Sequence, residues 1–461
     1  MECEEIARDI HLHADETRGK VSENLLSLCP ADIADVLNRV SVVEAATVTK
    51  LLPLETVVCV FDLPLVRRRA MILEQLDARQ AARILNGLSA DQRTTIVRAI
   101  SPREQCRLLD SLEPGAKAEV ERLLKYPPRS AGGIMTTEFV RLNPEISAAT
   151  ALGQVREAAA EKELIYACYV LDPASSILLG TLSLRDLIVA NPEARVGDIM
   201  RRRVITADVL EDQERVAHKI AKYNLLAVPV LEKDGRVVGF VTVDDVIDVL
   251  VEEQTEDILR LGAVEPGALD QPYMTMPITT LVKKRATWLV ILFLGEMLTA
   301  TAMGFFEKEI ARAVVLALFV PLIISSGGNS GSQASTLIIR ALALREIKLL
   351  DWWKVMRREL SSGLSLGVIL GAIGFLRIAV WSAFSDMYGP YWYLVATAVA
   401  LSLVGIVMWG TISGAMLPFV LKRLGLDPAT SSAPFVATLV DVTGLIIYFS
   451  VSFVVLRGTL L

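Results

Sequence analysis

The sequence predicts a multidomain membrane protein with an α-helical solenoid, a tandem pair of small α/β domains, a connecting helix and five transmembrane helices. Three observations predict this architecture. A repeat of 12 residues fills the first part of the chain, a repeat of 65 residues follows, and five long apolar segments occupy the end. A chain of 461 residues is too long for a single hydrophobic core. Its hydrophobic content of 52% is typical of a membrane protein with a soluble part.

The first domain, residues 1–128, is predicted to be a helical scaffold. Apolar or turn residues recur every 12 positions, and several are followed by Ser, Asp or Pro, which open helices. Each repeat therefore predicts a two-turn helix and a corner, stacked into a solenoid. The run Arg67–Arg69 is predicted to lie on a solvated helix face, with lipid headgroups or nucleotides as alternative partners.

The second repeat predicts two α/β domains, at residues 129–195 and 196–248. Both units close with Gly-x-x-[Ser/Thr]-x-x-Asp at a strand-to-helix junction, as Gly180–Asp186 and Gly239–Asp245. Such a junction can place a hydroxyl near a phosphate and an Asp near ribose hydroxyls. The pair resembles tandem cystathionine-β-synthase (CBS) domains, and the alternative is that the hydroxyls only cap the following helices. The nucleotide-binding candidates are Ser183, Arg185 and Asp186.

An acidic helix is predicted over Asp244–Ile258, continuing from the second α/β domain into a connecting region assigned to residues 249–276. Asp245, Asp248, Glu252 and Glu256 follow each other at steps of 3, 4 and 4, which places four carboxylates along one stripe. Like charges at these spacings repel, so the helix gains stability when positive charge lies on it. Lys and Arg of the solenoid or bound divalent cations could supply that charge, and a solvated acidic face is the third interpretation.

The five apolar segments within residues 277–461 are each long enough to cross the hydrocarbon core. Lys and Arg flank them on one side, so the positive-inside rule predicts a cytoplasmic N-terminus and an external C-terminus. This region contains 15 of the 47 basic residues of the chain and 9 of its 53 acidic residues. The preceding part therefore has 32 basic and 44 acidic residues. The acidic soluble part argues against nucleic acid as a partner and favours cations. The predicted spans are Ala286–Phe306, Ala313–Ile339, Leu360–Trp381, Tyr391–Leu421 and Ala433–Val455.

The cysteines and histidines exclude several kinds of site. The five cysteines form no CxxC pair, so neither a disulfide framework nor a zinc knuckle is indicated. Three scattered histidines do not indicate a transition-metal site. No catalytic triad or phosphate loop is recognisable, and the sequence therefore predicts that the protein is not an enzyme.

Asp441 lies in the last apolar segment and is the strongest functional candidate. A carboxylate near the middle of a spanning helix costs roughly 2.5 kcal/mol or more, so it usually faces a protein interior or water and marks an ion route. Thr438 and Pro434 share its helix face, and Ala437 lies one turn before it. Pro434 is expected to free a carbonyl near Thr430, and oxygen atoms suit hard divalent cations. The alternative is a polar contact between packed helices.

A second polar wall is predicted in the second apolar segment, at Pro321–Gln333. Its hydroxyl, amide and glycine residues would be unstable against lipid, so they should be buried or line water. Gly328 and Asn329 are the pore candidates, although the glycines can also permit close helix contact. Glu296 in the first segment either pairs with an Arg at a helix end or lines the permeation route.

With these features assembled, the chain resembles the MgtE family of bacterial magnesium transporters nearly end to end. The most specific stretches are Pro321–Gln333, Asp427-Pro-Ala and Pro434–Gly444. The resemblance implies a homodimer in the bacterial inner membrane, with a pore on the twofold axis where Asp441 of each copy and the Ala437 carbonyl hold a largely hydrated Mg²⁺. It implies that cytosolic Mg²⁺ locks the connecting helix over the pore and that the CBS domains can bind ATP. The implied sensor residues are Asp245, Asp248, Glu253, Glu256 and Asp257, and the acidic stripe adds Glu252.

Two positions depart from the family pattern. Asn224 stands where family members can carry an acidic sensor residue, and Glu296 stands where a neutral residue is expected. The alternative functions are a nucleotide-responsive CBS membrane sensor without transport, and transport of other divalent cations such as Co²⁺ or Mn²⁺. Anion transport would require basic residues deep in the spans, whereas the deep charges are Glu296 and Asp441.

Overall fold

The computed structural model describes residues 24–159, 164–265, 273 and 276–459 of the chain. The chain divides into two compact units. The first comprises Met1–Gln254 and Asp270–Thr275, and the second comprises Thr255–Leu269 and Met276–Leu461.

The first unit begins with the predicted solenoid, which packs around one core of buried aliphatic side chains. Its helices are mostly ten residues long, so they make nearly three turns and not the predicted two. All but the fourth begin at 12-residue intervals; the fourth begins late, at Arg69, because the residues around Pro64 form turns. The helices are α1 Pro30–Arg39, α2 Val42–Leu51, α3 Leu54–Asp62, α4 Arg69–Glu74, α5 Ala78–Gly87, α6 Ala90–Ala99, α7 Pro102–Ser111 and α8 Pro114–Leu123.

Arginine side chains fill the corners of the solenoid. Arg68 donates hydrogen bonds to the carbonyls of Leu37 and Val40, at 3.1 and 2.5 Å, and Arg69 donates to the Phe61 carbonyl at 2.7 Å. Both arginines are at least nine-tenths buried, so the predicted solvated face at Arg67–Arg69 was wrong for these two residues. Helix C-terminal carbonyls lack intrahelical donors, and the guanidinium groups satisfy them.

Two three-stranded sheets of the same topology follow the solenoid. In each, the first strand pairs parallel with the second and the second pairs antiparallel with the third, and a helix follows the third strand. Phe139, Tyr169 and Phe240 stack between the sheets, with 3.9 Å between the ring centroids of Tyr169 and Phe240. The elements are β1 Phe139–Leu142, α9 Ala148–Ala158, β2 Leu164–Leu171, β3 Leu178–Ser183, α10 Leu184–Val189, α11 Val196–Ile199, β4 Ala207–Asp208, α12 Gln213–Tyr223, β5 Ala227–Leu231, β6 Val237–Thr242 and α13 Val243–Leu261.

Helix α13 is the predicted acidic helix, and its 19 residues run without interruption. Its residues up to Gln254 belong to the first unit and those from Thr255 belong to the second. The same helix therefore follows the closing strand of the second sheet and carries the acidic stripe.

The second unit contains five helices long and apolar enough to cross a membrane, which confirms the predicted number of spans for the described residues. The third begins at Trp352 and not at Leu360, because long basic side chains at its start can extend toward the headgroups. A 3₁₀ segment, Val314–Phe319, leads into the second. The helices are α14 Ile278–Phe305, the short α15 Glu307–Arg312, α16 Val320–Ala343, α17 Trp352–Ser382, α18 Trp392–Arg423 and α19 Ala433–Leu456.

Glycines bring the spanning helices into backbone contact. A Cβ atom added at Gly367 of α17 would lie 2.8 Å from the Cα of Val404, and one at Gly414 of α18 would lie 2.1 Å from the Gly331 carbonyl oxygen. Both distances are shorter than van der Waals contact, so only glycine fits. This close packing holds α16, α17 and α18 together as a bundle.

Candidate ion pathway

Asp441 is partly buried on α19 and faces the glycine segment of α16. A Cβ atom at Gly328 would lie 3.5 Å from the Asp441 Oδ1 atom and 3.4 Å from the Ala437 Cβ atom. The structure therefore brings together three predicted pore residues from two helices. Gly328 is buried, and its lack of a side chain lets the α16 backbone lie close to the carboxylate.

The neighbouring glycines of α16 have a different role. Gly327 packs against Ile406 and Val440, where an added Cβ would lie 2.5 and 2.8 Å from side-chain carbons. Gly331 contacts α18 and the side chain of Val436. Of the two sequence interpretations of these glycines, close helix contact therefore applies to Gly327 and Gly331, and proximity to the carboxylate applies to Gly328.

The expected free carbonyl near Thr430 is absent from the structure. Helix α19 begins at Ala433, so Pro434 lies in its first turn and interrupts no helical hydrogen bond. The Thr430 carbonyl accepts a hydrogen bond from the Ser432 backbone N–H at 2.7 Å. The prediction that Pro434 creates an oxygen-rich patch at this carbonyl was wrong, because proline is tolerated where backbone donors are unpaired anyway.

Serine hydroxyls of α16 fix the start of α19, a role that the sequence analysis missed. Ser332 donates to the Ala433 carbonyl and Ser335 donates to the Ser431 carbonyl, both at 3.1 Å. Their spacing of three residues on a polar helix face was the available signal. These bonds position the helix that carries Asp441 relative to the glycine segment.

Thr438 and Asn329 lie near this region with different surroundings. The Thr438 hydroxyl donates to the Pro434 carbonyl at 3.1 Å, and its methyl group packs against Gly295 of α14. Asn329 is exposed in the single chain and donates to Ser325 at 3.3 Å. The two residues remain predicted pore residues.

The acidic stripe of α13 lies among basic and amide side chains. Glu252 pairs with Arg129 at 3.2 Å, and Glu253 accepts a hydrogen bond from Gln213 at 2.6 Å. Partial burial and the neighbouring Asp244 raise the pKa of Asp248, whereas the positive charge of Arg69 opposes this shift. The sequence left open whether basic side chains or bound cations neutralise the acidic stripe, and the structure shows that Arg129 and Arg69 supply part of the positive charge.

The far end of α13 is tied to the loop before α19. Arg260 forms ion pairs with Glu256 of its own helix and with Asp427, the first residue of the Asp-Pro-Ala stretch. A cavity of about 300 Å³ lies here, lined by Arg260, Trp288, Asp427 and Thr430. Asp257 lies in the same part of α13, which belongs to the second unit.

The sensor candidates do not converge on one point of the single chain. At the start of α13, Asp245 accepts a hydrogen bond from the Thr242 hydroxyl at 2.5 Å. Within the described ranges, no group of three or more His, Cys, Asp or Glu side chains is arranged to hold a metal ion. Their assignment as Mg²⁺ sensors remains a prediction.

The nucleotide candidates form a helix cap in the structure. The Ser183 hydroxyl accepts a hydrogen bond from the Asp186 backbone N–H, and the Asp186 carboxylate accepts one from the Ser183 backbone N–H, at 3.0 and 3.1 Å. The Ser183 hydrogen bonds and, secondarily, the Arg201 guanidinium hold the pKa of Asp186 below its ordinary value. Arg185 is exposed. Capping thus occupies Ser183 and Asp186, and nucleotide binding remains a prediction.

Comparison with known proteins places the chain in a family. The profile described as "Divalent cation transporter" (MgtE) matches residues 320–451, that of the MgtE intracellular N domain matches residues 28–129, and that of the CBS domain matches residues 196–252. Magnesium transporter MgtE of Thermus thermophilus is 45% identical over 352 residues, covering 76% of either chain. The chain belongs to the MgtE family.

Other MgtE proteins show the same relationship. Magnesium transporter MgtE of Enterococcus faecalis is 34% identical, covering 74% of this chain and 72% of the relative. The solved cytosolic domain of the Mg²⁺ channel MgtE in complex with ATP is 36% identical and covers 53% of this chain and 99% of that structure, with a TM-score of 0.49.

Proposed function

We propose that the protein transports Mg²⁺ across the bacterial inner membrane. Its membership of the MgtE family supports this function, and the observation that carries it is the partly buried Asp441 carboxylate in a spanning helix, in contact range of the Gly328 backbone. A carboxylate at that depth is stable only where water or a cation accompanies it. The resulting pathway is lined by Asp441, Ala437, Thr438, Gly328 and Asn329.

Mg²⁺ suits this arrangement because it sheds water reluctantly and usually retains several water molecules. One carboxylate per chain supplies negative charge to which the hydration shell of such an ion can donate hydrogen bonds. Two copies related by a twofold axis would present two carboxylates. The exposure of Asn329 in the single chain and the almost wholly exposed surface of α14 support a homodimer, because neither surface is buried within one chain.

We infer that cytosolic Mg²⁺ regulates transport through α13. The acidic stripe lies on this helix, and Arg260 links the far end of the helix to Asp427, six residues before the start of α19. Cations that bind one arrangement of the stripe better than another shift the population toward it. The proposed sensors are Asp245, Asp248, Glu252, Glu253, Glu256 and Asp257, and ATP is a proposed modulator at the CBS domains.

The orientation of the protein is proposed from its charge distribution. The basic residues at positions 283–285, 340–358 and 422–423 lie at the ends of the spanning helices that fall on one side of the membrane. The positive-inside rule then predicts a cytoplasmic N-terminus and an external C-terminus.

Flux measurements test the function directly. Purified protein in liposomes should take up Mg²⁺, and Asp441→Ala should abolish that uptake while the protein keeps the elution profile of the wild type. Absence of uptake by the wild type, with nucleotide binding intact, would instead support a CBS sensor without transport. A panel with Co²⁺ and Mn²⁺ in place of Mg²⁺ identifies the preferred cation.

A further inference from the structure

Glu296 is the one acidic side chain in the body of α14, and it is unexplained by the features described above. It is exposed in the single chain, and no hydrogen bond or ion pair involves it within the described residues. An ionised glutamate in a spanning helix is unstable against lipid, so it should face water or another charge. The alternative predicted from the sequence, pairing with an Arg at a helix end, does not occur within the described part of the chain.

The packing of α14 places Glu296 beside the proposed pathway. Gly295, the preceding residue, lies against α19, where an added Cβ would be 2.9 Å from the Thr438 Cγ2 atom. Thr438 is one turn from Asp441, and the carboxylates of Glu296 and Asp441 lie within electrostatic range of each other. The basic residues of α14 lie at its start, at positions 283–285, and α19 contains none, so the body of neither helix carries a positive charge beside these carboxylates.

Thr299 supplies an independent observation at the same contact between α14 and α19. It is 8% exposed, and its hydroxyl oxygen has no hydrogen-bond partner within the described residues. The first and fifth of five successive spans cross the membrane in the same direction. Gly295 contacts Thr438, so the residues one turn later in each helix, Thr299 and Asp441, lie at the same level. Buried hydroxyls are normally hydrogen-bonded, and an unpartnered one here indicates a missing polar partner.

We propose that Glu296 is a specificity-determining residue of the cation pathway, acting with Asp441 as a second carboxylate and with the Thr299 hydroxyl as an additional oxygen ligand. This inference rests on the proposed transport function. A second carboxylate strengthens cation binding and favours direct ligation over contact through water. Ions with more flexible coordination than Mg²⁺, such as Ca²⁺, should then compete well with it.

The test compares Glu296→Gln with wild-type protein in liposomes, using Mg²⁺ uptake and its inhibition by Ca²⁺. Loss of one negative charge from a site for a divalent ion should raise the half-saturating Mg²⁺ concentration about tenfold and the inhibitory Ca²⁺ concentration by about the same factor. Thr299→Val, which removes the hydroxyl and keeps the shape, should shift both values in the same direction by less. Glu307→Gln, at the exposed start of α15, is the matched control and should change neither.

The results separate this inference from the proposed function. Unchanged Mg²⁺ saturation and Ca²⁺ inhibition in Glu296→Gln would overturn the role of Glu296 while leaving transport intact. A higher thermal stability of that variant, with the same cation dependence, would show that the glutamate acts only on packing. Wild-type uptake by Asp441→Asn would instead refute the shared carboxylate site on which the proposed function depends.

Discussion

Replacing Gly414 by Ala should separate two spanning helices and destabilise the membrane unit. The added Cβ atom would lie 2.1 Å from the Gly331 carbonyl oxygen and 2.8 and 2.9 Å from the carbonyl carbon and Cα of the same residue. All three are backbone atoms, so no side-chain rotation relieves the contact. Restoring normal separation requires a shift of at least about 1 Å, which forfeits a quarter or more of the nearby dispersion energy.

The magnitudes predict the sign of this change. Overpacking typically costs about 1–3 kcal/mol, and sometimes more where backbone must move. Alanine recovers up to about 1 kcal/mol of helix propensity over glycine. We therefore expect a net destabilisation of about 2 kcal/mol, seen as earlier thermal unfolding of the detergent-purified protein.

Two matched variants make the Gly414 prediction specific. Gly304→Ala, where no atom lies within 4 Å, should be neutral or slightly stabilising. Gly328→Ala should fold normally, because its new methyl group would make ordinary contacts, but it should reduce Mg²⁺ uptake by crowding the Asp441 carboxylate. Wild-type stability of Gly414→Ala would refute the argument that backbone contact between α16 and α18 requires glycine.

Three further predictions address regulation, reactivity and pH. Arg260→Gln removes the ion pair with Asp427, so Mg²⁺ uptake should stay high at millimolar cytosolic Mg²⁺. The control Lys283→Gln should lose uptake under the same condition, as the wild type does. Loss of uptake in both variants would exclude a role for the ion pair in closing the pathway. Burial raises the pKa of Cys168 to about 12, so maleimide at pH 7–9 should modify the exposed Cys59 but spare Cys168 until unfolding, as mass spectrometry can show. Burial also raises the pKa of Asp91, so its contribution to stability is present below about pH 4 and lost as the pH rises. The unfolding temperature of Asp91→Asn relative to wild type should therefore be higher at pH 7 than at pH 4.5, and a relative value that falls between pH 4.5 and pH 7 would contradict this.

Much of the fold was predictable because its patterns are local. The 12-residue spacing, the two closing motifs and the five apolar runs each depend on neighbouring residues, and the structure confirms the elements they predicted. The buried Arg68 was not predictable from the charge of its segment, because its partners at Leu37 and Val40 lie about 30 positions earlier. Tertiary contacts over that distance override a local expectation of solvation.

The candidate site was predictable in part for the same reason. Asp441 and Ala437 share one helix face, so helical periodicity placed them together, and the glycine-rich segment was recognisable as a second wall. Which glycine would face the carboxylate depended on the register between α16 and α19, which the Ser332 and Ser335 hydrogen bonds help to fix. Local patterns within one helix give no information on that register. The predicted start of the fifth span at Ala433 was right, and the expectation of a free carbonyl failed because a proline in the first turn of a helix interrupts no hydrogen bond.

The glycines of α17 determine how this protein can move. Gly363, Gly367, Gly371 and Gly374 press α17 against α18 along four successive contacts, several with backbone atoms. Helices packed this closely cannot slide past each other without steric overlap. We therefore expect α17 and α18 to move as one rigid unit. Conformational change should then involve α14, which contacts the rest of the bundle mainly through α19. A ligand or mutation that alters the contact between α14 and α19 should therefore block that change.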